Sequence, residues 1–190
     1  CGLAGGKQDQ YAATFGGFNF MEFFADDRVI VNPLRIRDEI INEIECSIML
    51  YFTGQSRESA NIIKDQIHSA ESGDDKSLHA MHRVKQSAVE MKEALLKAEV
   101  KTMAEILGQS WQAKRGMAHS ISNTFIDKIY DRALDAGALS AKISGAGGGG
   151  FMMLFVEPTL KLDVKAALSD LDGSFYPFHF TREGAQGWLV

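Results

Sequence analysis

Cysteine is nearly absent: Cys1 and Cys46 are the only two among 190 residues. Two thiols so placed make neither a disulfide framework nor a metal-binding pair. Both read as reduced thiols, with Cys46 inside a buried strand. An excess of positive charge is lacking as well. Lys and Arg number 20 against 25 Asp and Glu, a formal net charge of -5, whereas nucleic acid and anionic membrane reward the opposite balance. The sequence therefore predicts no nucleic acid and no membrane as partner, and any bound phosphate has to be met by a local group of donors. No apolar run approaches the roughly 18 residues of a bilayer span, and no basic stretch leads into an apolar core at the amino end, so a soluble, cytoplasmic protein is expected. His79 and His82 stand three apart on a predicted helix without a third ligand nearby, and they read as helix-surface residues rather than zinc ligands. No internal repeat is present, and no low-complexity segment beyond a run of glycines.

What is present is enough apolar material, 45% of residues, to bury one substantial core, or one domain plus a piece of a second. The chain opens on Cys rather than Met and runs directly into "CGLAGGKQDQY", which reads as the continuation of a longer protein. Residues 8–15, "QDQYAATF", predict a short helix that stops at Gly16 and Gly17. "FNFMEFF" and "RVIVNPL" predict a hairpin turning at Ala25, Asp26 and Asp27. Residues 42–52, "NEIECSIMLYF", grow more apolar along their length and predict a buried strand that closes at Thr53 and Gly54. The middle of the chain is helical. Ile62, Ile63 and Ile67 share one face; Leu78, Met81, Val84, Ala88, Met91 and Leu95 follow in steps of three and four as a core-facing stripe. A third helix turns Met103, Ile106, Leu107 and Trp111 inward. A fourth, capped near Ser122 and Asn123, does so with Phe125, Ile126, Ile129, Tyr130 and Leu134 and ends at Gly137. "ALSAKI", the glycine run and "FMMLFV" then read as strand, turn, strand. A short helix over residues 160–171 follows Pro158, and "SFYPFHF" and "GWLV" finish as strands. Helices cluster in the middle and strands flank them, so the predicted class is α+β, a mostly antiparallel sheet with helices packed on one face.

Two elements carry the chemistry. In "KISGAGGGGF" glycine fills five of the six positions 145–150. A glycine turn between strands lets backbone N–H groups converge on a phosphate or a sugar oxygen with no Cβ in the way; it also describes a hairpin whose turn is merely rich in glycine. Lys142 either supplies an anion partner beside it or points to solvent. In "GGKQDQYAATFGG", Asp9 opens a helix beside Lys7, Gln8 and Gln10. A carboxylate there favours the positive helix end, a gain of roughly 0.3–1 kcal/mol. The polar cluster between two glycine pairs also suits a polyhydroxyl ligand. Arg57 in "TGQSRES", and Lys114 with Arg115 in "QAKRGM", are candidate cations for a phosphate or, equally, solvated helix charges.

Taken in order, "GGKQDQYAATFGG", "YFTGQSRES", "WQAKRGMAHSIS" and "AKISGAGGGGF" resemble the GHMP kinases and, within them, the sugar kinases acting on D-glycero-D-manno-heptose 7-phosphate. The resemblance spans nearly the whole chain, with "SGAGGGGF" similar to the family's C-terminal glycine motif. It implies ATP and Mg²⁺ as cofactors and phosphorylation of a sugar-phosphate hydroxyl in a cleft between two domains. By the same resemblance Asp9 is the catalytic carboxylate, Lys7, Gln8 and Gln10 help to hold the sugar, and Gly145, Gly147, Gly148 and Gly149 form the wall against substrate. Arg57 and Lys142 complete the substrate-binding set. The family's main phosphate loop and its basic residue opposite the aspartate have no match here. Residues 1–34 are accordingly expected to be the tail of the N-terminal, ATP-binding domain and residues 35–190 the C-terminal domain. Such a piece is expected to bind ATP poorly alone and to turn over nothing. Other sugar 1-kinases, of fucose or galactose type, and a non-catalytic sugar or nucleotide sensor on the same fold are the alternatives.

Overall fold

A computed structural model describes residues 6–55, 59–72 and 74–188. Helix α1 (Gln8–Phe15) is followed by strands β1 (Asn19–Phe23) and β2 (Val29–Pro33), then helix α2 (Asp38–Ser47) and strand β3 (Ile48–Phe52). The helical middle comprises α3 (Ser59–Glu71), α4 (Asp75–Leu96), α5 (Val100–Arg115) and α6 (Thr124–Asp135). Strands β4 (Ala138–Ile143) and β5 (Phe151–Val156), helix α7 (Lys161–Ala167) and strand β6 (Ser174–Tyr176) complete the described elements.

The predicted hairpin forms, β1 pairing antiparallel with β2 from Asn19 opposite Pro33 to Phe23 opposite Val29. Asp27 takes the positive φ (62°) its turn requires, a conformation that short polar side chains tolerate. The remaining strands make one antiparallel sheet in the order β4-β5-β3-β6. Side chains alternate across a strand, and successive residues of β3 and β5 feed two apolar clusters. Met49, Tyr51, Met152, Leu154 and Val156 join Trp111, Ile126 and Ile129 in one. Ile48 and Phe155 join Ile40, Ile44, Met103 and Leu107 in the other. The α+β class with an antiparallel sheet and packed helices is as the sequence predicts.

Helix α6 shows how the local signals work. Asn123 sits outside the helix in extended backbone, and its side-chain oxygen accepts from Phe125 N and Ile126 N, both at 3.0 Å. Two of the amides that a helix start leaves without partners are thereby satisfied, and Ile126, Ile129 and Ala133 are buried below. Asn123→Ala is expected to lower stability by about 1 kcal/mol, read as a fall in the urea midpoint at unchanged slope.

Four expectations need correction. Residues 42–47 are not strand: α2 runs to Ser47 and passes straight into β3. Ile40 and Ile44, four apart, bury one helical face, and Cys46 is exposed rather than buried in a strand. The stripe on α4 is only partly covered. Leu95 is buried, but Leu78, Met81, Val84 and Met91 are half-buried and Ala88 is exposed, and on α3 Ile62 is buried whereas Ile67 is 49% exposed. Helix α7 ends at Ala167, preceded by a 3-10 turn over Pro158–Leu160. Finally, only Ser174–Tyr176 of "SFYPFHF" is strand, and Gly187 and Trp188 of "GWLV" are not; Leu189 and Val190 lie outside the described residues. Pro177 has no N–H for a ladder, and the Phe180 N–H donates instead to the Glu45 carboxylate at 2.9 Å.

Candidate functional site

Helix α1 presents the first element. Its first turn stands free of the core, with Lys7, Gln8, Asp9 and Gln10 all exposed and no residue of the helix buried. The hold on α1 comes from its far end. Gly17 N donates to Thr181 O and Ala185 N to Ala13 O, each at 2.9 Å, and a Cβ on Gly184 would overlap Thr14 O. Tyr11 meets Phe23 edge-on with centroids 5.7 Å apart. Lys7 is not paired with Asp9: its ammonium donates to Asp27 Oδ1 at 2.6 Å, which raises the Lys7 pKa and lowers that of Asp27. The Gln10 amide lies 3.2 and 3.0 Å from the carbonyl oxygens of Gly6 and Lys7, both satisfied with its nitrogen as donor. The Asp9 carboxylate makes no hydrogen bond or ion pair with any described residue. Lys7 and Gln8 border a cavity of about 350 Å³ with Phe24 and Arg28.

The glycine turn joins β4 to β5, and Gly145, Gly147, Gly148, Gly149 and Gly150 all have positive φ. What approaches Gly147 and Gly149 is the chain's own backbone. A Cβ on Gly147 would sit 2.7 Å from Ile121 O, and one on Gly149 would sit 2.5 Å from Gln55 O. Gly148 N donates to Ile121 O at 2.8 Å and Gly150 N to Gln55 O at 2.7 Å. Gln66 reaches from α3 to Ala146 O at 3.1 Å. Sequence reasoning missed these holders, and nothing in the local sequence marks Ile121 or Gln55 as partners of a turn so remote. The N–H groups of Gly145, Ala146, Gly147 and Gly149 have no acceptor among the described residues. At Gly145 a Cβ would meet only open space.

The expected pair Lys114 and Arg115 is divided between two roles. The Arg115 guanidinium binds Asp127 at 3.0 Å, and Ser122 Oγ donates to that same carboxylate at 2.6 Å. Lys114 turns instead to the glycine turn and donates to Gly145 O. Burial pushes its pKa down from 10.5 to about 8, and the positive charge of Lys142 adds to the shift. Lys142, half-buried on β4 opposite Met153, is pushed down by burial too. Arg57 lies outside the described residues. Asp9 and the glycine turn share no hydrogen bond or ion pair among the described residues.

The Lys114 shift has a consequence for stability. A folded-state pKa below the unfolded one means that the unfolded chain holds more protons between about pH 8 and 10.5. Stability therefore gains from this group as pH rises through that window, and the charged amine is a burden below it. Lys114→Met is expected to resist urea better than the native chain at pH 7, with the gap narrowing steadily above pH 8 in parallel melts.

Among the described residues no three His, Cys, Asp or Glu side chains gather as a metal site. The open N–H groups of the glycine turn, with two cations at its foot, do fit an anionic phosphate oxygen. Among the described residues no helix is long and apolar enough to cross a membrane.

The chain is similar to known proteins. Residues 91–171 match the family model described as GHMP kinases C terminal. The D-glycero-alpha-D-manno-heptose 7-phosphate kinase of Campylobacter jejuni is 50% identical over 189 residues, covering 100% of this chain and 55% of that protein. The bifunctional fucokinase/GDP-fucose pyrophosphorylase of Arabidopsis thaliana is 28% identical over 84% of this chain and 15% of its own length. A crystal structure of a D-glycero-D-manno-heptose 1-phosphate kinase from Bacteroides thetaiotaomicron superposes with a TM-score of 0.73 at 43% identity, over 100% of this chain and 50% of that one. The chain thus spans about half the length of the heptose kinases it matches. With its antiparallel sheet, its glycine turn between β4 and β5 and the match over residues 91–171, the chain carries a GHMP kinase C-terminal domain.

Proposed function

We propose that the protein holding this chain transfers the terminal phosphoryl group of ATP, with Mg²⁺, to a hydroxyl of a sugar phosphate, O1 of D-glycero-D-manno-heptose 7-phosphate. The observation that carries this reading is the 50% identity, along the entire chain, to a heptose 7-phosphate kinase. Residues 1–34 belong on this reading to the preceding ATP-binding domain and residues 35–190 to the C-terminal domain, with the reaction between them. ATP supplies the phosphoryl group; the residues of this chain orient the acceptor and meet the charge. Asp9, whose carboxylate has no hydrogen-bond or ion-pair partner among the described residues and stands at the exposed start of α1, aligns the attacking hydroxyl and receives its proton. Gln8, Gln10 and Lys7 border the sugar. The open N–H groups of Gly145, Gly147 and Gly149 face the substrate side of the turn and offer donors to its anionic oxygens. Gly148 serves by anchoring the turn to Ile121, and Arg57 and Lys142 bring positive charge to the substrate.

The test is a substrate panel. Intact protein with ATP is expected to release ADP with heptose 7-phosphate, and ³¹P spectra are expected to show a new anomeric phosphate. A preference for fucose, the reading favoured by the Arabidopsis fucokinase relative, would replace the heptose assignment. Sugar binding by calorimetry without ADP release would replace the enzyme with a sensor.

A further inference from the structure

We infer that Lys114 and Lys142 together form a subsite for a phosphate monoester, the phosphate that the sugar already carries before it is phosphorylated again. The inference rests on the sugar-phosphate kinase reading for the source of that group, and on the structure for the subsite. Helix α5 and strand β4 pack against each other, Gly108 of the helix against Ser140 of the strand. This packing brings Lys114, near the end of α5, and Lys142 to the same end of the pair, at the foot of the glycine turn. Lys114 spends one donor on Gly145 O, and Lys142 has no partner among the described residues.

Neither lysine has a carboxylate within ion-pair distance among the described residues. Partly buried arginines elsewhere are treated differently: Arg83 is held by Glu90 at 2.8 Å and Arg115 by Asp127 at 3.0 Å. Two like charges withdrawn together from water, with no opposite charge to answer them, are costly unless an anion completes the set. The lowered Lys114 pKa, to which Lys142 contributes, reflects that deficit. A phosphate monoester carries roughly 1.5 to 2 negative charges at pH 7, which two ammonium groups balance. The N–H groups of Gly145, Ala146 and Gly147 beside them lack acceptors among the described residues, and Gly145 has open space where a side chain would be. Oxygens not reached by the lysines have donors there. A free sugar offers this place nothing that needs two cations.

Binding and turnover test the subsite separately. In ¹⁵N spectra of the intact protein, inorganic phosphate and heptose 7-phosphate are expected to shift the amides of Gly145, Ala146 and Gly147, while free heptose leaves them in place. Lys142→Met and Lys114→Met are expected to abolish those shifts, and Lys142→Arg to keep them; far-UV spectra check that each variant is folded. Shifts that persist in both Met variants, or no shift in the native protein, would overturn the subsite. In kinetics, each Met variant is expected to raise KM for heptose 7-phosphate about 10- to 100-fold, the loss of a charge-assisted contact, with KM for ATP unchanged. A rise in KM for ATP instead would assign the lysines to the nucleotide and overturn the inference. If native protein transfers no phosphate to any sugar, the kinase reading fails, and the source assigned to the phosphate fails with it; the amide shifts still decide the subsite.

Discussion

Asn in place of Asp9 is expected to cut kcat of the intact protein by about 10²-fold or more, the usual loss when a positioned acid–base group is removed. Asn has the same size and keeps one acceptor oxygen, so it can still touch the attacking hydroxyl, but it cannot take the proton. The structure makes this a clean experiment. The Asp9 side chain is exposed and has no hydrogen-bond or ion-pair partner among the described residues, so Asn is expected to leave the urea midpoint where it was, as substitutions outside packed or bonded positions do. The loss is expected in kcat, with KM for the sugar changed little, because an effect confined to proton transfer is felt at the transition state. Steady-state ADP release by both proteins, with their melts alongside, measures it. An Asn variant as fast as the native protein would remove Asp9 from the reaction.

The second large effect is structural. Gly147→Ala and Gly149→Ala are each expected to destabilise the chain by about 3 kcal/mol. Their φ values of 116° and 155° are ones that L-residues avoid, and the new methyl groups would be forced onto the carbonyl oxygens of Ile121 and Gln55. Backbone oxygen does not move aside as the end of a flexible side chain would. Gly145→Ala is the control: its φ of 73° lies in the left-handed region but its Cβ enters open space, so about 1–2 kcal/mol is expected. Urea titration of the three variants gives the ranking. Equal losses at all three positions would mean that conformation alone, and not the approach of Ile121 and Gln55, demands glycine.

These glycines also illustrate what a sequence exposes and what it conceals. The turn itself was legible, as were the hairpin and the inward faces of α5 and α6, because periodicity, caps and turn residues are local signals. The reason for so many glycines was not, since Ile121 and Gln55 belong to remote segments. The helix–strand passage at Ser47 and Ile48 misled for another reason. With no turn residue between α2 and β3, a rising apolar gradient read as one strand, although Asp38 and Glu39 in a first turn and the four-residue step from Ile40 to Ile44 are helix marks. The stripe on α4 was real as a pattern and overstated as burial. In the candidate site, residue types were legible and pairings were not. Lys7 takes Asp27, and Arg115 takes Asp127, leaving Lys114 beside Lys142. Ion pairs are set by tertiary proximity, which composition does not encode.

Helix α1 has one more lesson in it. With nothing of its own in the core, the element bearing Asp9 is moored by residues 181–185 through backbone bonds to its last turn. Clipping that short leash would set the helix adrift while the sheet stood intact. On the proposed role of Asp9, harm done near residues 181–185 would thus register, in an assay, as lost catalysis.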